Sequence, residues 1–132
     1  MLEESVFDHV STYATDYERT RSFYLAALAP LGVRLVTEFT AGGSAERVCA
    51  FGNGKLGQLW LIESNIAYTP RHLAFRAASR MHVDQFHEAA LAAGGIDNGA
   101  PGLRPDYHAG YYGSFVIDPD GNNLEAVFHG EA

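Results

Sequence analysis

The sequence predicts an α+β fold: two βαβββ modules whose strands form a curved mixed sheet around a cleft, with the helices outside. Two observations carry this. Residues 9–33 lie without gaps on residues 72–96 with eight identities in 25 positions, among them His9/His72, Phe23/Phe86 and Gly32/Gly95. Four of the eight are alanines and count for little, but a histidine, an aromatic and a helix-ending glycine in one register mark an internal repeat. Each copy then reads as a strand, an amphipathic helix and short strands broken by turn residues. The 132 residues, 47% hydrophobic and 19% charged, suffice for one domain with its own core. Module one covers about 5–64 and module two about 70–129, and Ser64–Pro70 is too short to be more than a connection.

In order along the chain, Val6–Ser11 is the first expected strand. A helix follows the capping residue Asp16, with Thr20, Phe23, Tyr24, Ala27 and Leu28 on one face, and Pro30 with Gly32 ends it. Val33–Phe39, Arg47–Phe51 and Gln58–Glu63 read as strands, with Asn53-Gly54 as a two-residue hairpin turn. The second copy opens on His72–Ala77. Ser79 caps its helix, Val83, Phe86, His87, Ala90 and Leu91 repeat the apolar spacing, and Gly94-Gly95 ends it. A loop-rich stretch leads to strands Tyr111–Ile117 and Asn123–Phe128, joined by the turn Asp118-Pro119-Asp120-Gly121, in which proline presets φ.

Sixteen acidic against nine basic residues give a formal net charge of −7, the wrong sign for phosphate backbones or anionic lipid. Neither nucleic acid nor a membrane surface is therefore an expected partner. No apolar run approaches the roughly 20 residues of a bilayer span. The single cysteine, Cys49, forms no intrachain disulfide, and Met1–Ser5 is acidic where a secretory signal is basic, so a cytoplasmic location is expected. Gly52–Gly57 satisfies G-x-G-x-x-G, but a strand follows where a nucleotide fingerprint needs a helix. Ser114 lacks the second glycine of a nucleophile elbow, and Cys49 reads as a buried strand cysteine.

The repeat places His9 and His72 on equivalent first strands around a pseudo-two-fold axis. Matching the apolar positions of the last strands lays Leu59-Trp60-Leu61-Ile62 on Leu124-Glu125-Ala126-Val127, so Trp60 pairs with Glu125. Strand alternation sends Leu124, Ala126 and Phe128 to the core and Asn123, Glu125 and Val127 to the opposite face, where a carboxylate in an apolar strand needs a cation. Alone, each histidine is ordinarily a hydrogen-bonded polar residue. Two histidines and one carboxylate brought together by symmetry are the donor set of an open divalent-metal site, which makes His9, His72 and Glu125 the candidate ligands. Arg104–Gly113 packs three tyrosines and a histidine beside small residues, a wall over the cavity or equally a cover for core edges. A phenol or imidazole there suits hydrogen bonding or proton transfer, so His108 and Tyr112 join Glu125 as catalytic candidates, and Tyr107 and Tyr111 are substrate-binding candidates. Arg76, on the His72 face, suits a substrate carboxylate or phosphate, or equally a solvated strand end.

Asp8-His9-Val10, the Phe23-Tyr24 pair, His72-Leu73-Ala74-Phe75 and the run Asp118–Val127 with its Asp-Pro-Asp-Gly-Asn turn resemble the vicinal oxygen chelate superfamily over nearly the whole chain. That superfamily includes glyoxalase I, extradiol dioxygenases, fosfomycin-resistance enzymes and bleomycin-resistance proteins. The resemblance implies that His9, His72 and Glu125 hold one divalent metal ion (Fe, Zn, Ni or Mn). It implies a metal-dependent lyase or dioxygenase of the glyoxalase type, acting on a small molecule that chelates through neighbouring oxygens. It also implies a homodimer, with the site completed within one chain or by the first module of one chain facing the second module of its partner. Glyoxalase I has a fourth, acidic ligand on the last strand of its first module, where this chain has Trp60. Gln58 shares that strand face and is the residue available in its stead, with Trp60 as a substrate wall. The departure points away from lactoylglutathione lyase itself. Two alternatives remain: lactoylglutathione lyase proper, and a metal-free, bleomycin-resistance-like binding protein walled by Trp60 and the tyrosines.

Overall fold

A computed structural model describes residues 7–41 and 46–131. Its elements follow the repeat: β1 (Val10–Ala14), α1 (Tyr17–Leu28), β2 (Arg34–Thr40), β3 (Arg47–Gly52), β4 (Leu59–Glu63), β5 (His72–Arg76), α2 (Arg80–Ala92), β6 (Ile96–Leu103), β7 (Tyr111–Ile117) and β8 (Asn123–His129). Each module contributes a four-stranded mixed sheet, in the orders β1-β4-β3-β2 and β5-β8-β7-β6. The first strand of each runs parallel to the last, and the other pairings are antiparallel. β1 and β5 are therefore both edge strands.

Register confirms the internal alignment. Val10 lies opposite Leu59 and Ser11 opposite Trp60, as Leu73 lies opposite Leu124 and Ala74 opposite Glu125. Trp60 thus holds in the first sheet the place of Glu125 in the second.

The helices bury the stripes their spacing dictates: Thr20, Phe23, Tyr24, Ala27 and Leu28 on α1, and Val83, Phe86 and Ala90 on α2. Asp16 accepts from the Arg19 amide and Ser79 from the His82 amide, closing both N-termini. These stripes meet Cys49, Phe51, Leu59, Leu61, Val116, Leu124 and Ala126 in one core, so the helices cover one face of each sheet and leave the other free. The two repeat glycines serve different ends. Gly32 takes φ 76° after the 3-10 turn Ala29–Leu31, whereas a Cβ at Gly95 would come within 2.4 Å of Val116 Cγ1.

The turn of module two fastens onto module one. Asp120 accepts from the Thr15 amide (3.1 Å), the Thr15 hydroxyl (3.0 Å) and the Thr20 hydroxyl (2.7 Å). Buried Tyr24 donates to Asp118 Oδ2 at 2.5 Å, and Asn122 Nδ2 donates to Thr12 Oγ1 at 3.3 Å. None of the described helices is long and apolar enough to cross a membrane.

Two elements differ from expectation. β1 begins at Val10 and runs to Ala14, because the apolar run of β4 sets its register and draws Thr12 and Ala14 inward. His9 therefore precedes the strand, and Val6 lies outside the described residues. The loop-rich stretch after α2 is β6, an edge strand with two register shifts that accommodate Gly99, Pro101 and Gly102.

Candidate functional site

Alternation along β8 sends Leu124 and Ala126 to the core and turns Glu125 to the helix-free face, where its neighbours come from three strands. Glu125 is 3% exposed. Oε1 lies 3.1 Å from His72 Nε2 on β5, and Oε2 accepts a hydrogen bond from the Tyr111 hydroxyl on β7. A Cβ at Gly113 would lie 3.2 Å from Glu125 Oε2 and 3.3 Å from the Tyr111 ring, so the absent side chain leaves room for this bond. Burial and the adjacent Glu125 carboxylate push the Tyr111 phenol well above its ordinary value, keeping it a donor.

The tautomer of His72 follows from its other nitrogen. Nδ1 lies 3.0 Å from the Asn123 carbonyl, which only accepts, so Nδ1 carries the proton. In the neutral ring Nε2 is then a bare lone pair facing a carboxylate oxygen, an arrangement that needs a cation between the two acceptors. The cation is a proton or a metal ion. An imidazole nitrogen and a carboxylate oxygen are both donors that a divalent ion accepts, so the pair would suit a metal as it suits a shared proton. Asp8 Oδ1 accepts from His9 Nδ1 at 2.7 Å, which frees the His9 Nε2 in the same way. Metal-binding histidines are held in this manner, by an oxygen acceptor on the other ring nitrogen.

His9 stands just before β1, its ring 6.4 Å from that of Trp60, which also meets the Phe39 ring at 6.2 Å. Among the described residues of one chain, no three His, Cys, Asp or Glu side chains converge on a metal-sized site. The chain thus joins His72 to Glu125, while His9 stands beside Trp60 of the first sheet.

The remaining candidates divide by face. Tyr111 packs against Tyr107 (4.8 Å between ring centres), His108 (5.4 Å) and His129 (5.4 Å), a cluster at the far end of the Glu125 face. His108 Nδ1 donates to the Ala109 carbonyl (2.7 Å), so its Nε2 accepts from His129 Nδ1 (2.9 Å). Both nitrogens of His108 are occupied. Arg76 lies opposite Val127 on the His72 face and is exposed. Gln58 Oε1 accepts from the Asn53 amide at 2.9 Å, which commits it to the β3–β4 loop.

Tyr112 is the correction. β7 alternation turns it to α2, where its hydroxyl donates to Asp84 (2.7 Å) and Arg80 lies 5.1 Å over its ring, on the side away from Glu125. Cys49 is fully buried, and burial pushes its thiol up. Sequence reasoning missed Phe115, Arg104 and His129 on the Glu125 face. Alternation from Tyr111 and from Glu125 would have found the first and third; Arg104 needed β6.

The profile of the Glyoxalase/Bleomycin resistance protein/Dioxygenase superfamily matches residues 6–126. No curated protein matches the chain. Among solved structures, a glyoxalase/bleomycin resistance protein from Albidiferax ferrireducens is 26% identical with a TM-score of 0.74, covering 96% of this chain and 100% of that one. A glyoxylase/bleomycin resistance protein/dioxygenase domain from a Frankia species is 18% identical with a TM-score of 0.72, covering 97% and 100%. A glyoxalase I mutant from Zea mays is 23% identical with a TM-score of 0.71; 92% of this chain matches 46% of that one, so the chain spans about half its length.

Proposed function

The chain belongs to the Glyoxalase/Bleomycin resistance protein/Dioxygenase superfamily, and on that premise we propose a divalent-metal-dependent enzyme acting on a small molecule that chelates through neighbouring oxygens. Its metal would be held by His72 and Glu125 of one chain and His9 of a second copy. One observation carries the reading: His72 Nε2 and Glu125 Oε1, both acceptors in the neutral-imidazole tautomer, face each other at 3.1 Å. The separation of His9 from this pair and the open edges of β1 and β5 favour assembly from two copies.

When bound, the metal supplies Lewis acidity to the substrate oxygens. The chain's own residues do the rest. Tyr111 fixes Glu125 Oε2 and leaves Oε1 toward His72, so the carboxylate is aimed before substrate arrives. His129 Nε2, freed because Nδ1 donates to His108, is the base available to move a proton at the Tyr111 end, a role better suited to it than to His108. Trp60 and Phe39 of the facing sheet exclude water. With Trp60 at the position equivalent to Glu125 and Gln58 tied to its loop, the donor set is three residues rather than the four of glyoxalase I.

Metal analysis tests this on tag-free protein reloaded with iron(II), nickel, zinc or manganese. Uptake near one ion per chain, lost in Glu125→Gln, is the expected result. No uptake under any loading overturns it. Trp60, flanked by the His9 and Phe39 rings, favours a second reading in that case: a binding protein that holds a flat molecule without turnover.

A further inference from the structure

The face that carries Glu125 holds two arginines in a chain whose formal net charge is −7. Arg76 and Arg104 share it with the imidazoles of His72, His108 and His129, and Glu125, already bonded to His72 and Tyr111, is its carboxylate. The nearest acid on β6, Asp97, is turned to the other face, where it accepts from His87 of α2 at 3.0 Å.

Arg104 is the more constrained of the two arginines. Its amide donates to the Tyr111 carbonyl at 2.8 Å, which continues the β6–β7 ladder and sends its side chain out on the Tyr111 side. The side chain then lies back over two glycines: a Cβ at Gly102 would lie 3.1 Å from Nη1 and one at Gly99 3.3 Å from Nη2. The guanidinium comes to rest 5.5 Å from the centre of the Phe115 ring, and that ring stacks with His72 at 6.3 Å. Backbone carbonyls are its only hydrogen-bond acceptors among the described residues, Ala100 at 2.7 Å and Leu103 at 3.5 Å, and no ion pair there includes it. Arg21 and Arg47, by contrast, are matched to Glu38 and to Glu63 with Glu18. A guanidinium has five N–H donors in a planar fork suited to two oxygens of one anion, and most of those of Arg104 are unspent.

We infer that the ligand of this site carries an oxyanion group, a carboxylate, phosphate or phosphonate, seated on Arg104, which packs on the same Phe115 ring as His72, with its chelating oxygens at His72 and Glu125. The inference rests on the Glu125 face being the substrate site. It assigns to Arg104 the choice between anionic and neutral ligands.

Titrations of metal-free protein with phenylphosphonate, benzoate and neutral benzamide test it. The Nε–H resonance of Arg104, assigned by its loss in Arg104→Met, reports the contact. At least one of the two anions shifts this resonance and binds at least tenfold more weakly to Arg104→Met. Arg104→Lys keeps part of the affinity by keeping the charge, which shows that the loss is not one of folding. Tighter phenylphosphonate names a phosphoryl-type ligand and tighter benzoate a carboxylate, each in support. Benzamide binding as well as benzoate, or equal anion binding by wild type and Arg104→Met, overturns the inference. Metal uptake by the same samples separates this from the enzyme reading: Arg104→Met is expected to keep it. Absent uptake in wild type beside Arg104-dependent anion binding would sink the enzyme reading alone.

Discussion

Tyr111 and Tyr112 are neighbours in sequence with opposite fates, and replacing each by phenylalanine separates the cleft from the scaffold. The Tyr111 hydroxyl donates to Glu125 Oε2 on the open face, whereas the Tyr112 hydroxyl donates to Asp84 on α2 at 2.7 Å. Loss of a hydrogen bond that orients a metal ligand lowers metal affinity about 10–100-fold. Tyr111→Phe is expected in that range, and it should also lower stability by about 1–3 kcal/mol, because it leaves an oxygen of the buried Glu125 carboxylate without its donor. Tyr112→Phe is expected to lower stability by about 0.5–1.5 kcal/mol and to leave metal affinity within about twofold. Gly113→Ala should behave like Tyr111→Phe, since its Cβ would press to 3.2 Å of Glu125 Oε2 and 3.3 Å of the Tyr111 ring. Calorimetric titration with manganese and urea denaturation of each variant supply both numbers. Equal loss of metal affinity in Tyr111→Phe and Tyr112→Phe would refute the assignment of faces, and unchanged affinity in Tyr111→Phe would refute the role of its hydroxyl.

Tyr24→Phe removes a fully buried donor from Asp118, which keeps three others, and is expected to lower stability by about 1.5–3 kcal/mol, or about 5–10 °C in Tm by thermal denaturation. Glu38 is held below its ordinary 4.5 by hydrogen bonds from Arg21 and Tyr17. A depressed carboxyl stabilises the fold above its unfolded value and loses that contribution as pH falls through the folded one. The stability gap between wild type and Glu38→Gln should therefore be widest above about pH 4.5 and close below it, and a constant gap in denaturation curves across that range would exclude the linkage. Gly95→Ala forces a Cβ against Val116 Cγ1 and the Ala90 carbonyl and should destabilise by about 1–3 kcal/mol, read by the same denaturation.

The repeat made most of the fold legible, because the same side-chain spacing produces the same buried stripe: Thr20, Phe23 and Ala27 on α1 stand where Val83, Phe86 and Ala90 stand on α2. It also placed Trp60 at the equivalent of Glu125, which the strand registers reproduce. β6 escaped because Gly99, Pro101 and Gly102 carry turn chemistry, and an edge strand tolerates what a central one does not. That omission hid Arg104. Tyr112 groups with Tyr111 when the run Arg104–Gly113 is taken as one wall, but both lie in the expected strand Tyr111–Ile117, whose alternation alone parts them. The pairing of His72 with Glu125 followed from symmetry and alternation, but the separation of His9 depends on how two sheets meet, which no local pattern encodes.

Subunit mixing tests the shared metal site most directly. His9→Ala and His72→Ala proteins are each expected to take up no metal, and the two are then unfolded together and refolded as a mixture. In a dimer whose sites are built from two copies, random pairing makes half the dimers mixed, each with one intact site, so uptake returns to about one quarter of wild type. Uptake that stays at the level of the separate variants would contradict a site that draws His9 from one copy and His72 with Glu125 from the other.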